Sequence, residues 1–491
     1  MQNVLVHYGY IETLTAVQER IVMDTILSGF AAGTGPKYRV LAGVIRSAIQ
    51  SGQLAPGYQV PPVRELAYRL GVTPGTVARA YTILTDERLL VAGVGRGTFV
   101  RGVEPAETPA TAPIAVEPVP HGSEGKTYPI SLFSPALPNV GQSSLIKQCM
   151  AKVAEEPPSG VMHYPSHTAY RHAREAAVRW LTGTPLGKLD EGQVVLAHGG
   201  QNAIVLILQA VLRGRRPAVL VEELAYPGFR RAAELLRADL VPVAMDEHGL
   251  IPEALAEAAR AHDAQIVCPS PEVHNPTCLF TPEWRRHEIV EVARRYDLQI
   301  LEDDCYRIGP ARADTFRCLA PERSWYTSSI SKSLTPSLRI GFAVAPEQRA
   351  SDLRRAADDS FFGIAAPMAD LAARLLTCPE LPVLHDKVKS EYARYIRVAV
   401  NHLGAYDLSW REDVPFVWLR LGQGWRAPAF CQAAEARGVQ IRPSDEFTLR
   451  DARAPHAVRI AINAQIPIEA FEGAMVCLRD LLTDLPERIN V

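Results

Sequence analysis

Hydrophobic positions fall into two regimes along the 491-residue chain. In residues 36–102 the apolar positions recur with helical spacing. Leu66, Ala67 and Leu70 line one helix, and Val77, Ala80, Tyr81 and Leu84 line a second. Gly71 and Val72 stand between them as a turn. Thr73 is a good N-cap, and Pro74 suits the first helical position. "LLVAGVGRGTFV" then predicts two short strands around a glycine-rich turn. From Val194 onward the period changes. "QVVLA", "AVLVEE", "LVPVAM", "AQIVCPS", "LQILEDD", "WYTSSIS" and "RIGFAVA" are short β-branched runs. Helical stretches such as "QNAIVLILQAVLR" and "PEWRRHEIVEVARRYD" separate them. This alternation predicts a mainly parallel sheet covered by helices. The last hundred or so residues mix both patterns and predict a smaller α+β lobe.

Between these regimes, Val103–Thr127 is rich in Pro, Ala, Glu and Thr, with nothing to build a core. It is expected to be a linker. Before them, residues 1–35 hold one predicted helix, with Leu14, Val17 and Ile21 on one face. The expected domains are therefore a helical extension (1–35), a helix-turn-helix module with a β-hairpin (36–102), a flexible linker (103–127) and a large α/β domain (128–491).

The net charge is only −2, but it is unevenly placed. Residues 36–102 carry nine Lys/Arg against three Asp/Glu, a balance of +6. A basic module on a mildly acidic body points to a polyanion partner. Eight cysteines without a C-x-x-C pair argue for a reducing compartment rather than a disulfide framework or structural zinc. Neither a signal peptide nor an apolar run of membrane-spanning length is apparent. The expectation is a cytoplasmic protein with no membrane partner. His163, His167 and His172 have no cysteine or acid pattern beside them, so no metal site is expected.

The stretch from Tyr38 to Val100 resembles the winged-helix domain of the GntR family of bacterial regulators. The resemblance implies that Arg64, in "PPVRELA", holds backbone phosphate, and that Arg96, in "GRGTFV", lies at the wing tip. The family often has Arg where Pro74 stands and Ser where Pro62 stands. The usual guanine contact therefore lacks its side chain, leaving Thr73, Thr76 and Arg79 as the candidates at the DNA.

The large domain resembles the fold-type I aminotransferases, through segments that occur in the family's order. "SISKSLTPSLRIG" matches the family's S-x-S-K followed by R-x-G. The resemblance implies that Lys332 forms a Schiff base with pyridoxal 5'-phosphate (PLP), that Ser329 and Ser331 bond its phosphate, and that Arg339 clamps it. "AHGGQNA" places Gly200 and Gln201 at a helix start suited to that phosphate. "ELAYPGF" places Tyr226 to stack on the ring. "VHNPTC" places Asn275 at the ring hydroxyl, with Cys278 where the family has Gly. "LQILEDDCY" places Asp303 at the pyridine nitrogen, which makes the ring an electron sink, with Tyr306 three residues on. "HAVRIAINA" implies Arg459 for an effector carboxylate, and "MHYPSHTAYRH" implies that Tyr164 crosses to the partner subunit's cofactor.

A GntR-type winged helix, a linker and an aminotransferase-like domain in one chain is the layout of the MocR subfamily. It implies a homodimeric, PLP-dependent regulator of operator DNA that senses an amine or amino-acid effector at Lys332. Two alternatives stay open in the sequence. One is a working aminotransferase with an accessory DNA-binding domain; the other is a regulator for which PLP itself is the signal.

Overall fold

The structure, a computed structural model, describes residues 28, 30, 35–55, 57–87, 89–93, 97–100, 129–160, 162, 164, 170–422, 424–449 and 452–483. Arg96, the proposed linker, His163, His167 and most of the helical extension lie outside the described residues. The chain divides into two compact units, Met1–Pro120 and His121–Val491.

The first unit is built on helices α1 (Lys37–Gln50), α2 (Val63–Leu70) and α3 (Pro74–Asp86). Each turns an apolar stripe inward: Leu41, Ala42, Ile45 and Ala48 from α1, Leu66 and Ala67 from α2, Val77, Ala80, Tyr81 and Leu84 from α3. Helix α2 stops at Gly71, whose φ of 61° lies in the left-handed region where a Cβ is costly. The Val72 amide closes the cap by donating to the Ala67 carbonyl. The Tyr81 hydroxyl donates to the Pro61 carbonyl at 2.7 Å, tying α3 to the entry of α2. Strand β1 (Gln59–Val60) joins β2 (Leu90–Gly93) and β3 (Gly97–Val100) in an antiparallel sheet of order β1-β3-β2. This is the predicted helix-turn-helix with a hairpin behind it.

The second unit holds a seven-stranded sheet. Its strands are β4 (Val194–Ala197), β5 (Ala218–Glu222), β6 (Asp239–Val243), β7 (Ile266–Cys268), β8 (Gln299–Asp303), β9 (Ser324–Ser329) and β10 (Gly341–Val344). These are the seven predicted runs. The order is β4-β10-β9-β8-β7-β5-β6, and only β10 runs antiparallel to its neighbours. Helices cover both faces, so most strand residues on either face are buried and the strands read as continuous apolar runs rather than alternating ones. A smaller antiparallel sheet of four strands carries β11 (Phe416–Arg420), β12 (Arg442–Pro443) and β13 (Ala457–Ala461). Helices Leu381–Leu403 and Ile468–Thr483 back it.

This topology gathers chemistry at one edge. Asp303 and Ser329 end parallel strands, and Gly199 follows β4. Because β10 runs the other way, its first residue, Gly341, reaches the same edge and pairs with Ala197. Open α/β sheets place ligands beyond the carboxyl ends of their strands.

Candidate functional site

The buried acid at this edge sets the electrostatics. Asp303 is 6% exposed and accepts a hydrogen bond from the Cys305 amide at 3.1 Å. Among the described residues no cationic side chain pairs with it. Burial therefore pushes its carboxyl up to about 6, with the bonds from Cys305 pulling the other way. Such a group is suited to a cation on a ligand.

The phosphate end is a set of close approaches. Helix Gly200–Val211 begins beside Gly199, whose φ is 79°. A Cβ on Gly199 would stand 2.5 Å from Arg339 Nη2, and one on Gly200 would stand 2.4 Å from Cys305 Sγ. A Cβ on Gly341 would meet the Gly199 carbonyl carbon at 2.5 Å and the Gly200 nitrogen at 2.8 Å. Glycine at 199, 200 and 341 thus lets a guanidinium, a thiol and two backbone segments meet at a helix amino terminus. Gln201 donates from Nε2 to the Gly228 carbonyl at 2.9 Å. Gly228 in turn has no room for a Cβ against Tyr226, whose ring edge lies 2.1 Å from that position.

Lys332 lies 5.3 Å from the Tyr306 ring centroid. Tyr306 packs edge-on against Phe416 at 5.3 Å and stands close to the Arg459 guanidinium, opposing the effect of its burial. Arg459 stands on β13, 3% exposed, between the rings of Phe416 and Phe447 at 5.4 and 4.9 Å. It donates from Nη1 to Asn275 Oδ1 at 2.7 Å and from Nη2 to the Phe133 carbonyl. Burial lowers its guanidinium from the usual value, and Tyr306 works against that. Burial likewise raises the Tyr226 phenol, with Tyr306, Asp303 and Cys305 as the nearby charges.

Contacts thus link Lys332, Tyr306, Arg459 and Asn275 on one side. On the other, Asp303, Cys305 and Gly200 meet, with Ser329 beside Gly200. Arg339 and Tyr226 border the same sheet edge. Tyr164 is not brought to it: its side chain is 91% exposed in this chain. Cys278 occupies the position of the family's glycine with φ 64°, so the turn survives with a strained non-glycine residue. Its amide donates to the His274 carbonyl at 2.9 Å, and its thiol to the Phe416 carbonyl. Phe133, Cys305, Gly228 and Phe447 are contributors that motif reading passes over. Cys305 and Gly228 carried a signal, standing two residues past Asp303 and Tyr226 within the quoted segments.

Whether these residues fit PLP is tested by what the buried polar atoms lack. Asn275 Nδ2, Ser331 Oγ and Arg459 Nε are buried without a hydrogen-bond partner among the described residues. Orphaned donors of this kind are costly unless a ligand meets them. With the uncompensated Asp303 and the glycine-lined helix start, the donor set fits an aromatic base with a hydroxyl, a phosphate and a carboxylate-bearing adduct.

In the first unit, Thr73 is the N-cap of α3 as expected, but its hydroxyl makes no cap bond to the helix backbone. It faces the Thr76 hydroxyl at 3.0 Å instead. Arg64 is exposed and makes no ion pair or hydrogen bond among the described residues. By contrast, Arg46 pairs with Glu87 and Arg69 with Glu65. Arg79 leans on Tyr38, 4.4 Å from its ring centroid. Of the histidines considered for metal, His172 bonds Asp370 at 2.8 Å. All eight cysteines are free. No described helix is long and apolar enough to cross a membrane.

Comparison with known proteins agrees with both halves. The model of "Aminotransferase class I and II" matches residues 137–476, and that of "Bacterial regulatory proteins, gntR family" matches residues 37–100. An uncharacterized HTH-type transcriptional regulator of Bacillus subtilis, YdeF, is 27% identical over 92% of this chain and 95% of its own. The probable rhizopine catabolism regulatory protein MocR of Rhizobium meliloti is 27% identical over 65% of this chain and 67% of its own. An archaeal alanine:glyoxylate aminotransferase superposes with a TM-score of 0.66, at 22% identity, over 73% of this chain and 91% of its own, which speaks to the fold. The chain therefore belongs to the class I and II aminotransferase family and carries it behind a gntR-family DNA-binding domain, the two-part layout of the MocR-type regulators.

Proposed function

We propose that this protein is a transcriptional regulator that binds operator DNA through residues 36–102 and PLP through Lys332, and that an amine or amino-acid effector acts at the PLP site. The observation that carries the reading is the set of buried donors, Asn275 Nδ2, Ser331 Oγ and Arg459 Nε, without partners among the described residues, together with a buried Asp303 that no described cation pairs with. When bound, the cofactor supplies an aldehyde for amine capture and a protonated ring that withdraws electrons.

The chain's own groups take the remaining roles. Lys332 would hold the cofactor through its side-chain amine, the position for which an effector amine would compete. Asp303 holds the proton on the ring nitrogen, since a cation beside it offsets the cost of its burial. Asn275 donates to the ring hydroxyl, and Tyr226 covers one ring face. Ser329, Ser331, Arg339 and the amides of Gly200 and Gln201 hold the phosphate. Tyr164 of the same sequence completes the phosphate site across a homodimer, in keeping with its exposure here. Arg459 receives the effector's carboxylate, held ready by Asn275, the Phe133 carbonyl and two aromatic rings. A ligand shifts the regulator only if it binds one arrangement of the dimer better than the other.

The test is a visible absorption spectrum of the reconstituted protein, with borohydride trapping and mass mapping. The expected result is a near-ultraviolet to visible band, an adduct on Lys332 and loss of both in Lys332→Ala. Candidate amines should shift the band and change operator binding together. Steady amino transfer to a keto acid, with DNA binding indifferent to the amine, would favour the enzyme reading instead.

A further inference from the structure

The outward face of α3 is chemically unusual for a helix that reads bases. Its inward face is Val77, Ala80, Tyr81 and Leu84, all buried. Thr73, Pro74, Gly75, Ala78, Arg79 and Thr82 are exposed on the other side, with Thr76 half-buried. Arg79 is the one long side chain among them, and it lies along Tyr38 of α1 at 4.4 Å. The hydroxyls are partly engaged within the helix. Thr73 and Thr76 bond each other at 3.0 Å, and Thr82 donates back to the Ala78 carbonyl at 3.0 Å. What faces outward is therefore a set of methyl and methylene groups around Gly75. A Cβ at Gly75 would come near only Thr73 Oγ1, at 3.9 Å, so the helix surface is low there and admits close approach.

The one apolar substituent in the major groove is the C5-methyl of thymine; the groups that mark the other bases there are hydrogen-bond donors and acceptors. A face of Thr, Pro and Ala methyls matches that feature and, with Arg79 laid along Tyr38, presents guanine O6 and N7 with no bidentate donor. Building on the DNA-binding reading above, we propose that this regulator reads its operator chiefly through thymine methyl groups, met by Thr73, Pro74, Ala78 and Thr82. Arg64 and the Tyr38-supported Arg79 supply charge to the phosphates rather than base discrimination. DNA is the occupant because the gntR-family match covers this helix and the module carries nine Lys/Arg against three Asp/Glu.

The experiment uses the full-length protein and a pool of random-sequence duplexes. After selection, the best duplex is remade with deoxyuridine at each thymine in turn, which removes only the methyl. The expected loss is about fourfold at each critical thymine, the worth of burying one methyl-sized group. Replacing guanines by 7-deazaguanine should change affinity by less than twofold. Arg79→Ala should weaken selected and unselected duplexes alike, and Ala78→Gly should erase part of the thymine preference. The proposal is overturned if deoxyuridine duplexes bind like their thymine parents, or if a 7-deazaguanine costs tenfold and Arg79→Ala abolishes that cost. Failure to retain any duplex at low salt would overturn the DNA-binding reading itself, a separate outcome from tight binding that ignores the methyls.

Discussion

Replacing Gly341 by Ala tests the phosphate cradle with one methyl group. The new Cβ would lie 2.5 Å from the Gly199 carbonyl carbon, 2.8 Å from its oxygen and 2.8 Å from the Gly200 nitrogen. Carbon atoms in contact sit near 3.5 Å or beyond, so the cradle must retreat by about 1 Å. All three atoms are backbone, and no side chain can rotate away to relieve the contact. A 1 Å retreat costs at least one charge-assisted hydrogen bond to phosphate, worth roughly 1.5–3 kcal/mol. PLP affinity should therefore fall by about tenfold to a hundredfold. Overpacking of this size costs roughly 1–3 kcal/mol of stability, which a domain of ordinary stability survives. Titrating the apo-protein with PLP and following absorbance gives the affinity, and thermal melting confirms the fold. Gly183→Ala is the control, because a Cβ there meets nothing within 4 Å. If Gly341→Ala melts normally and binds PLP within about twofold of the parent protein, the cradle does not lie where the geometry puts it.

Three further outcomes follow from single residues. The Asp303 carboxyl is raised to about 6 in the folded chain, above its ordinary value, so the native state holds that proton more tightly than the unfolded one. Its contribution to apo-protein stability is present at low pH and is lost as pH rises through 6, by about 1 kcal/mol between pH 5 and 7. Urea unfolding of Asp303→Asn should show a shallower fall over that window; an identical slope would refute the assignment. Arg64→Ala should weaken binding to all duplexes similarly and lower the slope of log affinity against log salt by about 1, as measured by fluorescence anisotropy. At Cys278, relief of a left-handed backbone, roughly 1 kcal/mol, offsets loss of a small buried side chain. Cys278→Gly should thus stay within about 1 kcal/mol of the parent protein in thermal melts, whereas Cys278→Val, β-branched at φ 64°, should lose about 2 kcal/mol or more.

What the sequence made legible follows from how each feature is encoded. Period and punctuation are local, so the seven strand runs and the Gly71 turn were readable in place, as was Pro74 at the first position of α3. The sheet order was not, because pairing is set by tertiary packing; nothing in "RIGFAVA" says that β10 runs antiparallel between β4 and β9. The site residues lie on motifs, and the contacts between them do not. Asn275 and Arg459 are 184 positions apart and meet only because β13 passes beside the Asn-Pro-Thr-Cys turn. The Phe133 carbonyl and the Phe447 ring, which complete the setting of Arg459, come from segments with no motif.

The same distinction explains the two glycine positions that behave oppositely. At 341 the absent side chain is required by neighbours distant in sequence, so only the folded geometry shows why Ala fails there. At 278 the requirement is on the residue's own backbone angle, and a small non-glycine residue meets it at modest cost. A motif departure is therefore informative only once it is known which kind of demand the position makes. By that criterion Cys278 leaves the pocket intact, because Asn275 keeps its bond to Arg459. Pro74 is the departure of the other kind. It suits the first turn of the helix backbone, and on the proposed reading it removes only a side chain that would have faced DNA, so the change expected of it lies in which DNA is bound.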